Sequence, residues 1–259
     1  MATIKLNGTS VEAAESMTVL EVARREGVEI PTLCHHEATG PYGACRLCVV
    51  EAESPMLRKT LVSSCTLPVA NGLIVDTESP AVQQARKLIF ELLIGRSESR
   101  QILAMAARYG VTASRFSTKE TDDCVRCGLC VRVCRDKMGV AAISFAGRGQ
   151  KRRVTAEFGQ ISQTCIGCGS CANVCPTGAI KLRDEDGIRT IFIRNNTVGR
   201  FTLATCSCCG APYATKPFLE HVAARTEEQP LTKKSGVCPE CARIYYATGI
   251  TGDSFTCPQ

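Results

Sequence analysis

Four cysteines stand close together in the segment Cys165-Ile166-Gly167-Cys168-Gly169-Ser170-Cys171-Ala172-Asn173-Val174-Cys175-Pro176, with the spacing C-x2-C-x2-C-x3-C-P. This spacing is typical of thiolate ligands to a [4Fe–4S] cluster. A near copy lies upstream at Cys124, Cys127, Cys130 and Cys134, where Arg135 replaces the proline. The two runs predict two [4Fe–4S] clusters, and therefore a chain that carries electrons.

Composition favours metal ligation over disulfide bonding. The 259 residues include 18 cysteines, and their short C-x2-C units suit metals and indicate a reducing compartment. The net charge of +6 is spread along the chain and supports no strong nucleic-acid footprint. No apolar run reaches the ~18 residues of a membrane span, and the N-terminus lacks a signal-peptide pattern. We therefore expect a cytoplasmic protein with no nucleic-acid partner and no membrane span.

The two cysteine runs resemble a duplicated, bacterial-type 2[4Fe–4S] ferredoxin domain, predicted over residues 117–195. In such domains the fourth cysteine of each run ligates the other cluster. The resemblance assigns Cys124, Cys127, Cys130 and Cys175 to one cluster, and Cys165, Cys168, Cys171 and Cys134 to the other. Glycines at 128, 167 and 169 are expected to let backbone N–H groups approach the cluster sulfurs.

Residues 1–80 show the order strand, turn, strand, helix before a cysteine loop. Residues 3–6 and 11–13 predict strands around an Asn7-Gly8 turn, and Thr18 predicts the N-cap of a helix that ends near Gly27. Four cysteines follow with the spacing C-x10-C-x2-C-x16-C, whose first gap is longer than the plant-type spacing: Cys34, Cys45, Cys48 and Cys65. We expect a β-grasp domain that holds a [2Fe–2S] cluster; the alternative is four buried cysteines without one.

Two segments carry a closer resemblance: Cys34-His35-His36 and Gly43-Ala44-Cys45-Arg46-Leu47-Cys48-Val49-Val50-Glu51. They look like the N-terminal [2Fe–2S] domain of the large iron–sulfur subunit of respiratory complex I. Related domains begin electron-bifurcating [FeFe] hydrogenases and NAD-dependent formate dehydrogenases. His35 and His36 are interpreted either as tuning the cluster by hydrogen bonds or as ordinary polar loop residues.

This resemblance implies an electron-transfer subunit of a soluble, flavin-containing, NAD(P)H-linked oxidoreductase complex, of a kind that includes bifurcating enzymes. The implied partners are an NADH-dehydrogenase-type flavoprotein and a small thioredoxin-like [2Fe–2S] subunit. No glycine-rich nucleotide motif is present, and no catalytic residue is assigned. A self-standing diffusible electron carrier is the alternative, and a zinc-dependent scaffold or nucleic-acid protein is a third hypothesis that iron content would exclude.

Residues 81–116 are predicted to form a helical connector. Apolar residues recur at helical spacing after Ser79-Pro80, and a second helix is predicted over residues 97–109. In complex I and the bifurcating hydrogenases this connector carries one histidine and three cysteines that bind a further [4Fe–4S] cluster. Residues 96–105 contain neither residue type, so the chain departs from its relatives here and that cluster is not expected.

A hairpin is predicted between the two cysteine runs, with strands over residues 143–146 and 154–158. Its tip, residues 147–153, is basic. We interpret the tip either as a docking site for an acidic partner such as free ferredoxin or as a solvated turn.

Residues 196–259 are predicted to form a small metal-binding ribbon. Two C-x2-C pairs suit tetrahedral S4 coordination of one zinc or one iron: Cys206, Cys209, Cys238 and Cys241. This segment resembles the tail of the polyferredoxin subunit in formate hydrogenlyase-type complexes. Cys208 or Cys257 could substitute, and His221 is a weaker candidate; a third cube and free thiols are the alternatives. The chain is therefore expected to be an α+β protein with one [2Fe–2S] cluster, two [4Fe–4S] clusters and one zinc or mononuclear iron.

Overall fold

The computed structural model describes residues 1–116, 122–226 and 236–251. The chain forms two compact units. The first contains Met1–Lys137 and Val174–Ala179, and the second contains Met138–Asn173 and the described residues from 180 onward. Helices and strands occur in both units, which agrees with a mixed α and β chain.

A five-stranded sheet opens the first unit, in the order β2-β1-β5-β3-β4. Its strands are β1 (Ala2–Leu6), β2 (Thr9–Ala13), β3 (Val49–Ser54), β4 (Leu57–Ser63) and β5 (Ile74–Asp76). Strands β1 and β5 are parallel, and the other pairs are antiparallel. Helix α1 (Val19–Arg25) follows β2, and Thr18 caps it through a reciprocal capping box with Glu21. The predicted strand–turn–strand–helix order is confirmed.

The core of this sheet includes two of the candidate ligands. Alternate residues of β1, such as Ile4, are buried and pack with Leu20 of α1, as expected for a strand with one covered face. Cys48 and Cys65 are both 0% exposed and belong to the same hydrophobic cluster. Their sulfurs are therefore anchored by the core of the sheet.

Two helices form the connector, α2 (Pro80–Ile94) and α3 (Arg100–Arg108), so both predicted helices are confirmed. The apolar spacing identified only part of the buried face of α2. Leu88 and Leu92 are 41% and 50% exposed, whereas Val82, Arg86 and Phe90 are buried. These three lie at i, i+4 and i+8 on one helical face, and the stem of the arginine fills the place of an apolar side chain.

Arg86 joins the connector to the sheet. Its Nη2 donates to the carbonyl of Val49 at 3.0 Å and its Nη1 to Glu78 Oε1 at 2.8 Å. Farther along, Phe90 packs in one cluster with Leu33 and Leu47, which flank the cysteine loop in sequence. The connector therefore supports the loop that carries the first three cysteines.

The second unit begins with the hairpin of β6 (Ile143–Ala146) and β7 (Arg153–Ala156), which pair antiparallel. The hairpin is confirmed, but its second strand is shorter than predicted. Phe158 has a left-handed φ of 50° and is fully exposed. Because a strand needs negative φ, β7 ends before this residue.

A four-stranded antiparallel sheet was not predicted. It contains β8 (Ile180–Glu185), β9 (Ile188–Ile193), β10 (Asn196–Thr205) and β11 (Pro212–Thr215), in the order β11-β10-β9-β8. Asp186-Gly187 joins the first two strands with φ of 51° and 71°, as in a type I′ hairpin. This Asp-Gly pair between apolar residues was the available signal.

Four further α-helices lie in the described residues. Helices α4 (Leu129–Arg132) and α5 (Ser170–Asn173) lie inside the two cysteine runs, and a wide helical turn, Val133–Lys137, continues α4. Helices α6 (Lys216–Arg225) and α7 (Pro239–Thr251) follow the second sheet. Over the described ranges, no helix is long and apolar enough to cross a membrane.

Replacing Arg86 by Met should destabilise the first sheet. The substitution keeps apolar volume but leaves the buried carbonyl of Val49 without this donor, a loss of about 1–3 kcal/mol. Hydrogen exchange of the β3 amides should accelerate accordingly. Lys87→Met, at an exposed neighbouring position, is the control and should leave exchange unchanged; equal exchange in both variants would contradict the role assigned to Arg86.

Candidate metal centres

The N-terminal centre is formed by Cys34, Cys45, Cys48 and Cys65. Cys34, Cys48 and Cys65 are buried, and Cys45 is half-buried. The N–H of Cys45 donates to Cys34 Sγ at 3.3 Å, and the N–H groups of Gly43 and Tyr42 donate to the sulfur of Cys65. Such N–H to sulfur hydrogen bonds usually surround the ligands of an iron–sulfur centre.

The four sulfurs interact in two pairs. A hydrogen bond with the thiol of Cys34 lowers the pKa of Cys45 to about 6, and the same bond raises the pKa of Cys34. Likewise, a hydrogen bond with Cys65 lowers the pKa of Cys48 to about 6 and raises that of Cys65. Each pair thus shares one proton in the hydrogen bond between its two sulfurs. Iron would replace these protons as the compensating positive charge, so this donor set fits a cluster.

The first cysteine run and Cys175 belong to the same unit. Burial is the largest cause that raises the pKa of Cys127 to about 12, and the charges of Cys175, Cys124 and Cys45 contribute to the same rise. The structure therefore brings Cys175 and Cys124 near Cys127. Cys130 and Cys134 also lie in the first unit, whereas Cys165, Cys168 and Cys171 lie in the second.

Left-handed residues shape each C-x2-C turn of the candidate iron–sulfur centres. The residue just before the second cysteine has a φ of 57° at Arg126 and 69° at Gly167, and the residue just after Cys45 has a φ of 61° at Arg46. The predicted glycines 128 and 169 also have positive φ, at 81° and 79°. Arg46 and Arg126 were missed, because an arginine in this conformation is uncommon and nothing in its residue type signals it.

Four sulfurs converge in the C-terminal centre. The Sγ atoms of Cys206, Cys209, Cys238 and Cys241 all lie within 4.8 Å of one another. Backbone N–H groups surround them: those of Cys208 and Cys238 donate to Cys206 Sγ at 3.4 and 3.1 Å, and that of Cys241 donates to Cys238 Sγ at 3.5 Å. Four convergent thiol donors fit one tetrahedral ion, either zinc or iron.

The alternative ligands considered for this centre are His221, Cys208 and Cys257. His221 Nε2 lies 2.9 Å from the carbonyl oxygen of Met138, and its ring is not part of the four-sulfur group found in the described residues. Cys208 contributes its N–H but not its sulfur to that group. Cys257 lies outside the described residues.

The basic hairpin tip is exposed from Gly147 to Arg153. Within it, the guanidinium of Arg152 lies 4.0 Å over the ring of Phe145. This contact orients the guanidinium of Arg152. It fits both interpretations of the tip, a docking site for an acidic partner and a solvated turn.

Two family models match the chain. Residues 1–80 match a 2Fe-2S iron-sulfur cluster binding domain, and residues 123–179 match a 4Fe-4S dicluster domain. These matches confirm that both kinds of iron–sulfur domain are present.

Curated relatives resemble most of the chain. A subunit of the NADH-quinone oxidoreductase of Rhizobium meliloti (strain 1021) is 28% identical over 207 residues, which are 70% of this chain and 24% of that protein. The HndD subunit of the NADP-reducing hydrogenase of Solidesulfovibrio fructosivorans is 28% identical over 212 residues, which are 70% of this chain and 36% of that protein. The chain thus spans about a quarter to a third of the length of these relatives.

A solved structure extends the comparison. One chain in the crystal structure of NAD+-reducing [NiFe]-hydrogenase in the H2-reduced state superposes with a TM-score of 0.58 and 31% identity. The match covers 68% of this chain and 85% of that one. Together with the curated relatives, it confirms the resemblance predicted from the sequence.

Replacing Gly167 by Ala should impair iron binding by the second cysteine run. A Cβ there would lie 2.6 Å from the ring of Phe201 and 2.7 Å from Cγ2 of Thr215, and a left-handed alanine adds about 1–2 kcal/mol. Iron and sulfide per chain should fall. Arg126→Gly, at the equivalent left-handed position of the first run, should keep wild-type iron. Full iron in the Gly167→Ala protein would contradict this account.

Replacing Cys241 by Ser should remove the C-terminal metal, because a tetrahedral site loses one of its four thiolates. Elemental analysis should show about one fewer zinc or mononuclear iron per chain, with sulfide unchanged. His221→Gln is the control and should retain the metal. Loss of the metal from the control, with retention in Cys241→Ser, would mean that the ligand set is wrong.

Proposed function

Because the chain belongs to the family of iron–sulfur proteins that includes subunits of NADH-quinone oxidoreductase, of NADP-reducing hydrogenase and of NAD+-reducing [NiFe]-hydrogenase, we propose that it relays single electrons within a soluble, NAD(P)H-linked oxidoreductase complex. Its own residues hold and space the redox centres. When bound, iron–sulfur clusters supply reversible one-electron chemistry.

One observation carries this proposal. Cys34 of the N-terminal centre and Cys127 of the first run lie in a single buried cluster, against which Cys45 also packs. The charge of Cys45 also contributes to the raised pKa of Cys127. Proposed ligands of two different centres are therefore neighbours within one unit, as an electron relay requires.

The proposed cofactors follow the cysteine sets. Cys34, Cys45, Cys48 and Cys65 would hold one [2Fe–2S] cluster. Cys124, Cys127, Cys130 and Cys175 would hold one [4Fe–4S] cluster, which the proximity of Cys175 to Cys127 supports. Cys165, Cys168 and Cys171 are proposed to hold the other with Cys134, as the sequence predicts. The C-terminal sulfurs would hold one zinc or one iron.

The proposed partners follow from the names of the relatives, which specify NADH, NADP and NAD+. We propose a flavoprotein subunit of NADH-dehydrogenase type on the side of the N-terminal centre, with a thioredoxin-like [2Fe–2S] companion. A second redox subunit or free ferredoxin would exchange electrons with the [4Fe–4S] centres. Electron bifurcation by the whole complex is part of this proposal.

Native purification tests the proposal directly. The brown protein should elute from gel filtration as a complex, and mass spectrometry should identify a flavoprotein in it. A single peak at the 27.8 kDa mass of the chain, with full iron content, would instead support a self-standing carrier. A colourless zinc protein would contradict both.

Replacing Cys175 by Ala should damage the cluster of the first run rather than that of its own run. The reason is the proximity of Cys175 to Cys127. Electron paramagnetic resonance (EPR) of the reduced protein should lose or alter the signal that Cys124→Ala also affects, and keep the signal that Cys168→Ala affects. The reverse pattern would overturn the ligand assignment.

Replacing Cys65 by Ala should block electron entry at the N-terminal centre and leave the [4Fe–4S] centres intact. Cys65 lies in the core of the first sheet, and the cluster around Cys127 does not include it. Reduction of the [4Fe–4S] centres by NADH or NADPH through the co-purified flavoprotein should be lost, while a strong chemical reductant should still reduce them. Undiminished reduction by the nucleotide would mean that electrons do not enter at the N-terminal centre.

A further inference from the structure

Arg132 is a buried cation in the first cysteine run. It lies between Cys130 and Cys134, at the end of α4, and only 7% of it is exposed. An arginine is rarely buried to this extent unless its guanidinium has partners. Its partners therefore indicate why the run carries a charge there.

The hydrogen-bond partners of Arg132 lie in the cysteine loop of the N-terminal centre. Nη1 donates to the carbonyl of Cys34 at 3.4 Å. Nη2 lies 3.0 Å from the carbonyl oxygen of Gly40 and 3.2 Å from that of Pro41, and it also contacts the carbonyl of Thr39. The guanidinium carbon stands 4.6 Å from the ring centroid of Tyr42. A planar group with five donors can make such a set of contacts, and a lysine cannot.

The loop that Arg132 contacts has few other anchors. It separates Cys34 from Cys45, and residues 36–42 are exposed or half-buried. The N–H groups of Thr39 and Gly40 close a turn onto the carbonyl of His36. With little apolar surface to bury, this turn depends on polar contacts for its position.

A second contact lies beside the first. Leu129, three residues before Arg132, packs with Cys34 and Cys127 in the buried cluster that joins the two centres. The short helix α4 thus touches the loop through an apolar side chain and a guanidinium. Both contacts converge on Cys34, a proposed ligand.

We propose that Arg132 is a positioning residue that fixes the N-terminal cysteine loop against the first [4Fe–4S] run and so sets the spacing of the two centres. This inference rests on the cofactors proposed above. Electron tunnelling falls steeply with distance, so a loop that moves relative to Cys127 would make transfer slower and more heterogeneous. Arg132 therefore acts through the loop and does not exchange electrons itself.

Three variants of the full chain test the proposal. Arg132→Met removes the donors and the charge but keeps a long apolar stem. Arg132→Lys keeps the charge and removes the fork of donors. Arg135→Met is the control, because Arg135 is exposed and its hydrogen bonds within the described residues go to the adjacent Asp136.

Two readouts besides activity are measured on each variant. The first is hydrogen exchange of the amides of Thr39 and Gly40, which close the turn of this loop. The second is the magnetic interaction between the reduced [2Fe–2S] cluster and the first [4Fe–4S] cluster, seen as splitting or enhanced relaxation in EPR. Iron and sulfide content of each preparation establishes that the centres have assembled.

In Arg132→Met, exchange of the loop amides should be at least about tenfold faster, because charge-assisted hydrogen bonds to the loop are lost, and the magnetic interaction should weaken or broaden. Arg132→Lys should resemble Arg132→Met, and Arg135→Met should resemble the wild type. Unchanged exchange and coupling in Arg132→Met would overturn the proposal. If that variant does not fold, wild-type behaviour of Arg132→Lys would overturn it equally.

Failure of the proposed function would look different. A wild-type protein without a [2Fe–2S] signal would refute the cofactor assignment, whatever the arginine variants show. A wild-type protein with both signals and measurable coupling, unaltered by either substitution at Arg132, would refute the positioning role alone.

Discussion

Bringing several cysteine sulfurs into one coordination sphere is the constraint on which the rest of this structure depends. Neighbouring thiolates repel one another, and within the pairs Cys34–Cys45 and Cys48–Cys65 a hydrogen bond between the two sulfurs lowers the pKa of one thiol and raises that of the other. Metal ions offset this repulsion between thiolates, and their binding contributes folding free energy. The protein prepares for this by anchoring two of these sulfurs in the sheet core and by directing backbone N–H groups at the others.

Directing several N–H groups at one sulfur requires tight turns, and tight turns require left-handed residues. Glycine adopts that conformation without steric cost at position 167, while Arg46 and Arg126 adopt it with a cost of about 1–2 kcal/mol each. An arginine is kept in such a conformation when the surrounding structure imposes it. A left-handed residue inside each of these C-x2-C turns shows that ligand placement outweighs residue preference there.

The sequence was informative where a local pattern and a local structure coincide. The Thr18 cap, the first two strands and the connector helices belong to this class, since each depends on residues a few positions apart. The cysteine spacings also named the four sulfurs that the fold brings together at the C-terminal centre from two C-x2-C pairs. The sheet of β8 to β11 was not predicted, although the Asp186-Gly187 pair that joins its first two strands favours a hairpin.

The burial of two arginines could not be predicted from the sequence, for a physical reason. Arg86 and Arg132 are both buried, and each donates to backbone carbonyls: Arg86 to that of Val49, besides the carboxylate of Glu78, and Arg132 to those of the cysteine loop. Because every residue has a backbone carbonyl, no pattern of side chains indicates which carbonyl will accept a hydrogen bond from an arginine. Hydrophobic periodicity then misplaces the inner face of α2, because it counts Leu88 as buried and Arg86 as exposed.

The connector shows how such backbone contacts can hold a ligand set together. Ser97 and Ser99, at the beginning of α3, are 1% and 3% exposed. The hydroxyl of Ser97 donates to the carbonyl of Asp123, and that of Ser99 lies 3.3 Å from the carbonyl of Thr177. Asp123 precedes Cys124, and Thr177 follows Cys175 by two residues. Although residues 96–105 contain no cysteine or histidine, this connector contacts both ends of the ligand set proposed for the first [4Fe–4S] cluster. Its hydroxyl groups thereby bring residues that are far apart in sequence to one site, and this explains why two serines are buried in a segment without metal ligands.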